Sequence, residues 1–189
     1  MTTAKLVILD RDGVINEDSD DYIKSPAEWI PIPGSAEAIA RLNKAGYTVV
    51  VATNQSGIGR HYFSLDTLDA IHEKMLRHIE AAGGDLAGIF FCPHAPEDNC
   101  DCRKPKPGLI DQIRDQLDID TQGVPIVGDS LRDLECGVAR GCVPVLVKTG
   151  KGLRTLDKGV PASLGNYAVY ASLADFVDEL LGGRFWPRQ

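Results

Sequence analysis

Short unbroken apolar runs recur along the chain: Leu6-Val7-Ile8-Leu9, Val49-Val50-Val51, Ile126-Val127 and Val145-Leu146-Val147. They are too short for ordinary helices and rich in β-branched residues, as expected of parallel strands buried on both faces. Between them the apolar spacing changes. Leu68, Ile71, Met75 and Ile79 recur at the helical period, after Ser64 as an N-cap and before Gly83-Gly84 as a stop. This reading predicts strands over Lys5–Leu9, Tyr47–Ala52, Gly88–Phe91, Val124–Val127 and Val143–Val147, with a small edge strand at Tyr167–Tyr170. It predicts helices over Ser35–Ala45, from Ser64 to Gly83, from Pro107 to near Leu117, over Leu131–Ala139 and over Leu173–Leu181. Strand and helix signals alternate without repeats or low-complexity linkers. The expected architecture is one Rossmann-like α/β domain over residues 1–189, a parallel sheet with helices on both faces.

The polar residues that punctuate this pattern gather where the strands end. The first strand delivers Asp10-Arg11-Asp12-Gly13 to its C-terminal edge, where open α/β sheets bind ligands. Residues i and i+2 of a strand share a face, so Asp10 and Asp12 can address one site. Two close carboxylates repel. A bound Mg²⁺ with a substrate phosphate would relieve them, the metal neutralising one acid while the other handles a proton. Thr53-Asn54-Gln55-Ser56-Gly57 follows the second strand, and Gly128-Asp129 with Asp133 follows the strand at Val124–Val127. Arg103-Lys104-Pro105-Lys106-Pro107-Gly108 supplies cations just before a helix, and the loop from Asn16 to Ile30 is rich in Asp.

Cys92-Pro93-His94 and Cys100-Asp101-Cys102 form a second cluster. Three sulfurs and one imidazole are the donor set of a tetrahedral zinc site, and a closed set of four leaves no position for a catalytic water. A Zn²⁺ on Cys92, His94, Cys100 and Cys102 would therefore be structural. It would hold the inserted loop 92–102, which runs directly into Arg103 and Lys104.

The ordered set of Asp-x-Asp-Gly-Val, Thr53, Lys104 and Asp129 resembles the four motifs of the haloacid dehalogenase-like phosphatases, over a span from about Leu6 to Gly150. The segments between motifs are too short for a cap domain, so the resemblance implies a capless haloacid dehalogenase-like core with a zinc-bound loop. With Cys-Pro-His and Cys-x-Cys-Arg-Lys-Pro added, the pattern is similar to bacterial phosphatases of D-glycero-D-manno-heptose 1,7-bisphosphate. Histidinol-phosphate phosphatases share the same core and loop. The first resemblance implies Mg²⁺-dependent removal of the 7-phosphate, leaving a 1-phosphate for nucleotide activation in lipopolysaccharide core assembly. Histidinol phosphate is the second reading. A non-catalytic zinc-stabilised binding module is the third.

The resemblance also assigns roles. Asp10 is the nucleophile that becomes an aspartyl phosphate, and Asp12 the general acid and base. Mg²⁺ is held by Asp10, the Asp12 backbone carbonyl and Asp129. Thr53 and Lys104 bind the transferring phosphoryl group, with Lys106 as the competing lysine. Asp133 supports Asp129 or a metal-bound water, or else is a solvated helix acid. Arg11, the flap residues Asp18, Asp21 and Tyr22, and Asn54, Gln55 and Ser56 face the substrate, while Ser19 and Asp20 belong to solvent. Arg103 meets the second, non-reacting phosphate.

Charge sharpens the partner class. The net charge is −7 with no basic block, which argues against nucleic acid and requires local cations to meet an anionic substrate. No apolar run reaches the length of a membrane span, and the N-terminus leads straight into the first strand without a secretory pattern. Five cysteines, an odd number, argue against a secreted disulfide framework. A cytoplasmic monomer acting on a small sugar bisphosphate is the expectation. His72 and His78 are six apart and do not share a helix face as a ligand pair. Cys136 and Cys142 read as small core residues, and Phe185 and Trp186 as a docked tail.

Overall fold

The computed structural model describes residues 4–185. Six parallel strands form one sheet: β1 (Leu6–Leu9), β2 (Thr48–Asn54), β3 (Gly88–Cys92), β4 (Pro125–Gly128), β5 (Val143–Val147) and β6 (Ala168–Tyr170), in the order β3-β2-β1-β4-β5-β6. The chain order reverses between β1 and β4, which opens a crevice at their C-terminal ends. The helices are α1 (Ser35–Lys44), α2 (Leu65–Ala81), α3 (Gly108–Leu117), α4 (Leu131–Val138), α5 (Gly152–Lys158) and α6 (Leu173–Leu181).

Side-chain alternation along the strands builds a core on each face. Val7 and Leu9 of β1, with Val49 and Val51 of β2, pack against Ile39 of α1, Met75 of α2 and Phe176 of α6. Leu6, Ile8, Val50 and Ala52 face the other way, against Leu109 and Ile113 of α3 and Cys136 of α4. Cys136 and Cys142 are both buried there as unpaired thiols. Burying this much apolar surface on both faces dominates the stability of the sheet.

The expected strands and helices are all present, most with ends shifted by a residue or two. β2 runs two residues past Ala52, because Thr53 and Asn54 still pair with Phe91 and Cys92 of β3. Thr53 therefore sits on the strand itself rather than in the loop after it. The pattern did not reveal α5. It has seven residues, its Leu153 is 59% exposed, and only Leu156 reaches a core cluster. Between β1 and α1 lies a flap with a single 3-10 turn at Pro26–Glu28, and between β3 and α3 only the cysteine loop. Neither holds a cap. Phe185 does dock, against Tyr170 and Phe176. Trp186 lies outside the described residues. Among those residues no helix is long and apolar enough to cross a membrane.

Candidate active site

The crevice is lined by Asp10, Asp12, Thr53, Lys104, Asp129 and Asp133, delivered by the ends of β1, β2 and β4, the segment before α3 and the first turn of α4. Lys104 is its hub. Its Nζ donates to Asp10 Oδ1 at 3.1 Å, Asp133 Oδ1 at 2.5 Å and the Ala52 carbonyl at 2.8 Å, which uses all three ammonium protons. Burial alone would lower the Lys104 pKa, but Asp10 and Asp133 more than offset that and hold it well above the usual lysine value. The Asn54 side chain grips the Lys104 backbone at both ends, accepting from its N–H at 3.0 Å and donating to its carbonyl at 3.1 Å. Asp133 is no solvated acid: its Oδ2 accepts from Ser130 N at 3.1 Å and Ser130 Oγ at 2.8 Å, capping α4. It steadies Lys104 and makes no hydrogen bond to Asp129.

Asp10, Asp129 and Asp133 can bring one oxygen each within 4.8 Å of the others. Burial, with Asp133 next, pushes the Asp10 pKa to about 7 against the pull of Lys104. Burial and the charges of Asp133 and Asp10 push Asp129 to about 8. One lysine thus faces three acids, and the arrangement favours a further cation. The donors are all oxygen, which suits Mg²⁺. The backbone at Gly13 has φ +82, and a Cβ there would lie 2.0 Å from Asp129 Oδ2, so only glycine leaves that carboxylate in place.

Asp12 is held differently. Burial would raise its pKa, but Arg11, Asn16 and Gln55 together bring it below the usual value. Arg11, expected at the substrate, is fully buried and turned away from the crevice. Its guanidinium lies instead between Asp12 and His72 of α2. Its Nε donates to Asp12 Oδ1 at 2.9 Å. Thr53 Oγ1 accepts from Gln55 Nε2 at 3.1 Å, which leaves its own hydrogen for an acceptor in the crevice. Asn54, Gln55 and Ser56 line the crevice as expected.

The flap departs further from expectation. Asp18 and Tyr22 line the crevice, but so do Ser19 and Asp20, while Asp21 does not. Tyr22 adopts φ 65, a left-handed backbone rare for a bulky residue, and Asp21 beside it is turned out to solvent. Cations on α5 and just before it hold the flap down. Lys151 Nζ lies 3.1 Å from Asp18, and Arg154 pairs with Asp20 at 3.1 Å. The Lys151 backbone N–H also donates to Asp129 Oδ2 at 2.8 Å. Lys151 was missed by sequence reasoning, although Gly150-Lys151-Gly152 follows a strand end just as Asp10 and Asp129 do. Arg103 and Arg132 line the same crevice, with no ion pair for either among the described residues. Burial and the neighbouring Arg132 lower the Arg103 pKa, the signature of a cation lacking an anion.

Behind this wall the four cysteine-loop donors converge. Cys92 Sγ is 3.0 Å from Cys102 Sγ and 3.6 Å from both Cys100 Sγ and His94 Nδ1, and His94 Nδ1 is 3.3 Å from Cys102 Sγ. A tetrahedron with Zn–S bonds of about 2.3 Å has S···S edges of roughly 3.8 Å. The cluster needs only a slight expansion to fit, and no disulfide links its thiols.

A HAD-hydrolase-like family model matches residues 101–176, and the polynucleotide kinase 3 phosphatase model matches residues 5–136. A D-glycero-beta-D-manno-heptose-1,7-bisphosphate 7-phosphatase from Pseudomonas putida is 55% identical over 177 residues, covering 94% of this chain and 99% of that protein. The chain belongs to the haloacid dehalogenase-like phosphatases, in the heptose-bisphosphate family. Another family member, from Neisseria meningitidis, is 53% identical over 91% of this chain and 92% of its own. The crystal structure of the D,D-heptose 1,7-bisphosphate phosphatase of B. bronchiseptica, complexed with magnesium and phosphate, superimposes with a TM-score of 0.91. It shares 52% identity and covers 94% of this chain and 98% of that one.

Proposed function

We propose that the chain, acting as a single phosphatase domain, removes the 7-phosphate of a D-glycero-D-manno-heptose 1,7-bisphosphate and leaves the 1-phosphate. One observation carries the substrate class. A phosphoryl-transfer centre and an uncompensated Arg103–Arg132 pair share one crevice, so a second phosphate has a partner there. Histidinol phosphate, with one phosphate and a cationic amine, would meet two guanidiniums instead.

The residues divide the work. Mg²⁺, held by the Asp10 and Asp129 carboxylates and the Asp12 carbonyl, would supply positive charge that lets an anionic nucleophile approach an anionic phosphate. Asp10 attacks phosphorus in line with the departing alkoxide and becomes an aspartyl phosphate. Asp12 protonates that alkoxide and then takes a proton from the water that hydrolyses the acyl phosphate. The approaching phosphate dianion favours the protonated form of Asp12 needed for the first step. Thr53 donates to a phosphoryl oxygen, and Lys104 steadies Asp10 and the developing charge. Cys92, His94, Cys100 and Cys102 would hold a zinc that fixes the segment carrying Arg103 and Lys104. The flap acids Asp18 and Asp20 offer acceptors to sugar hydroxyls. We place the enzyme in the cytoplasm, as a monomer.

The test is phosphate release from both heptose 1,7-bisphosphate anomers, fructose 1,6-bisphosphate and histidinol phosphate, with Mg²⁺ and with Asp10→Asn as control. Highest kcat/KM on a heptose bisphosphate supports the reading. Preference for histidinol phosphate overturns its substrate, and no metal-dependent release from any member overturns its chemistry.

A further inference from the structure

The hydrogen bonds around Asp12 extend two residues beyond the crevice, through Arg11 to His72. Arg11 spreads its guanidinium between two partners. One edge holds the Asp12 carboxylate, Nε to Oδ1 at 2.9 Å and Nη2 to Oδ2 at 3.2 Å. The remaining nitrogen, Nη1, lies 3.1 Å from Nε2 of His72 on α2. An arginine has donors only, so His72 Nε2 must accept, and the ring is the neutral tautomer with its proton on Nδ1. Burial, then the Arg11 charge, pushes the His72 pKa down to about 3, so the acceptor persists at any working pH. The ring is itself fixed, set edge-on to Phe91 of β3 at 6.2 Å.

We propose that His72 is a positioning residue for the acid–base step, acting through Arg11 on Asp12. This rests on the phosphatase reading and on Asp12 as the proton carrier. Arg11 is fully buried, so without an acceptor at Nη1 its guanidinium would hold a desolvated, unpaired donor. Rotating to satisfy that donor would tilt the edge that aims Asp12. Asn16 at 2.9 Å and Gln55 at 3.4 Å also touch the carboxylate, but each supplies one donor, and among the described residues only Arg11 holds both oxygens. In the step affected, the Asp10–phosphorus bond forms, the phosphorus–alkoxide bond breaks, and the Asp12 proton passes to the alkoxide oxygen. A misaimed Asp12 therefore penalises poor leaving groups and spares good ones.

That selectivity separates positioning from general damage. His72→Leu removes the acceptor, and His72→Gln keeps one near Nε2. The assay compares kcat/KM on heptose 1,7-bisphosphate, whose alkoxide needs a proton, with p-nitrophenyl phosphate, whose phenolate needs little. We expect His72→Leu to lose about 10- to 100-fold on the sugar and less than about threefold on the aryl ester, a part of the full acid–base contribution. His72→Gln should stay near wild type on both. If His72→Leu does not fold, His72→Met serves with the same readout. Equal losses on the two substrates, unchanged sugar turnover, or a His72→Gln as defective as the apolar variant would overturn the proposal. Asp12→Asn in the same assay identifies the other failure: if it keeps its sugar turnover, the role given to Asp12 falls, and that of His72 with it.

Discussion

Mg²⁺ should stabilise this fold far more at pH 8 than at pH 6. In the metal-free protein Asp10 and Asp129 titrate at about 7 and about 8, both raised from the unfolded value of 3.8. The folded state therefore binds more protons than the unfolded chain, so these groups contribute most at low pH. That contribution is lost as pH climbs from near 4 through 7 and 8. A divalent cation needs both carboxylates ionised. Below those values each proton still bound weakens metal affinity tenfold per pH unit. From pH 6 to pH 8 that is about one unit for Asp10 and two for Asp129, or roughly 1,000-fold in Kd. Where Mg²⁺ exceeds Kd at both pH values, that corresponds to about 4 kcal/mol of metal-dependent stability. For a domain of this size that is a difference of roughly 8–16 °C in the Mg²⁺-induced shift of Tm. The assay is thermal unfolding with and without millimolar Mg²⁺ at each pH. No chelator is added, because one would also strip the cysteine loop. Comparing plus and minus Mg²⁺ at one pH cancels every other titrating group. A shift that is the same at pH 6 and pH 8, or one that survives intact in Asp129→Asn, would refute the assignment of the metal to these acids.

Asp10→Asn should abolish turnover with the fold intact, since an amide cannot form the acyl phosphate; near-normal activity with folded protein by circular dichroism would refute covalent catalysis. Purified protein should carry one tightly held zinc per chain by elemental analysis, lost in acid as the thiolates protonate. Cys92, Cys100 and Cys102 that all react freely with an alkylating agent in the native state would contradict this. Arg103→Ala should cut kcat/KM about 10- to 100-fold on the heptose bisphosphate, the loss of one charge-assisted hydrogen bond of ~1.5–3 kcal/mol. A monophosphate ester should be affected much less, and equal losses on the two would make Arg103 a general loop residue.

What the sequence revealed and what it hid differ in kind. The strands were legible because residues buried on both faces leave unbroken apolar runs, and Asp10, Thr53 and Asp129 because each follows such a run, whereas Lys104 stood out only through the family resemblance. The cysteine loop was legible from its donor set together with the family resemblance. Arg11, expected at the substrate, instead lies buried behind Asp12 and holds its carboxylate from outside the crevice, a contact that motif position alone does not reveal. Its partner His72 looked bland because it pairs across α2 and β1, 61 positions apart, and no local spacing reveals that. The flap was read by composition, which cannot tell which acids face in. The left-handed turn at Tyr22 and the ion pairs to Lys151 and Arg154 decide it. Those cations flank or belong to α5, the one helix whose apolar periodicity is too brief to detect.

The most direct measurement is ³¹P NMR of heptose 1,7-bisphosphate during turnover by the wild-type protein with Mg²⁺. The account predicts that the primary 7-phosphate resonance disappears as inorganic phosphate grows in equal amount, while the anomeric 1-phosphate resonance persists as the sole sugar phosphate. Loss of the anomeric resonance first, or no change with Mg²⁺ present, would contradict it.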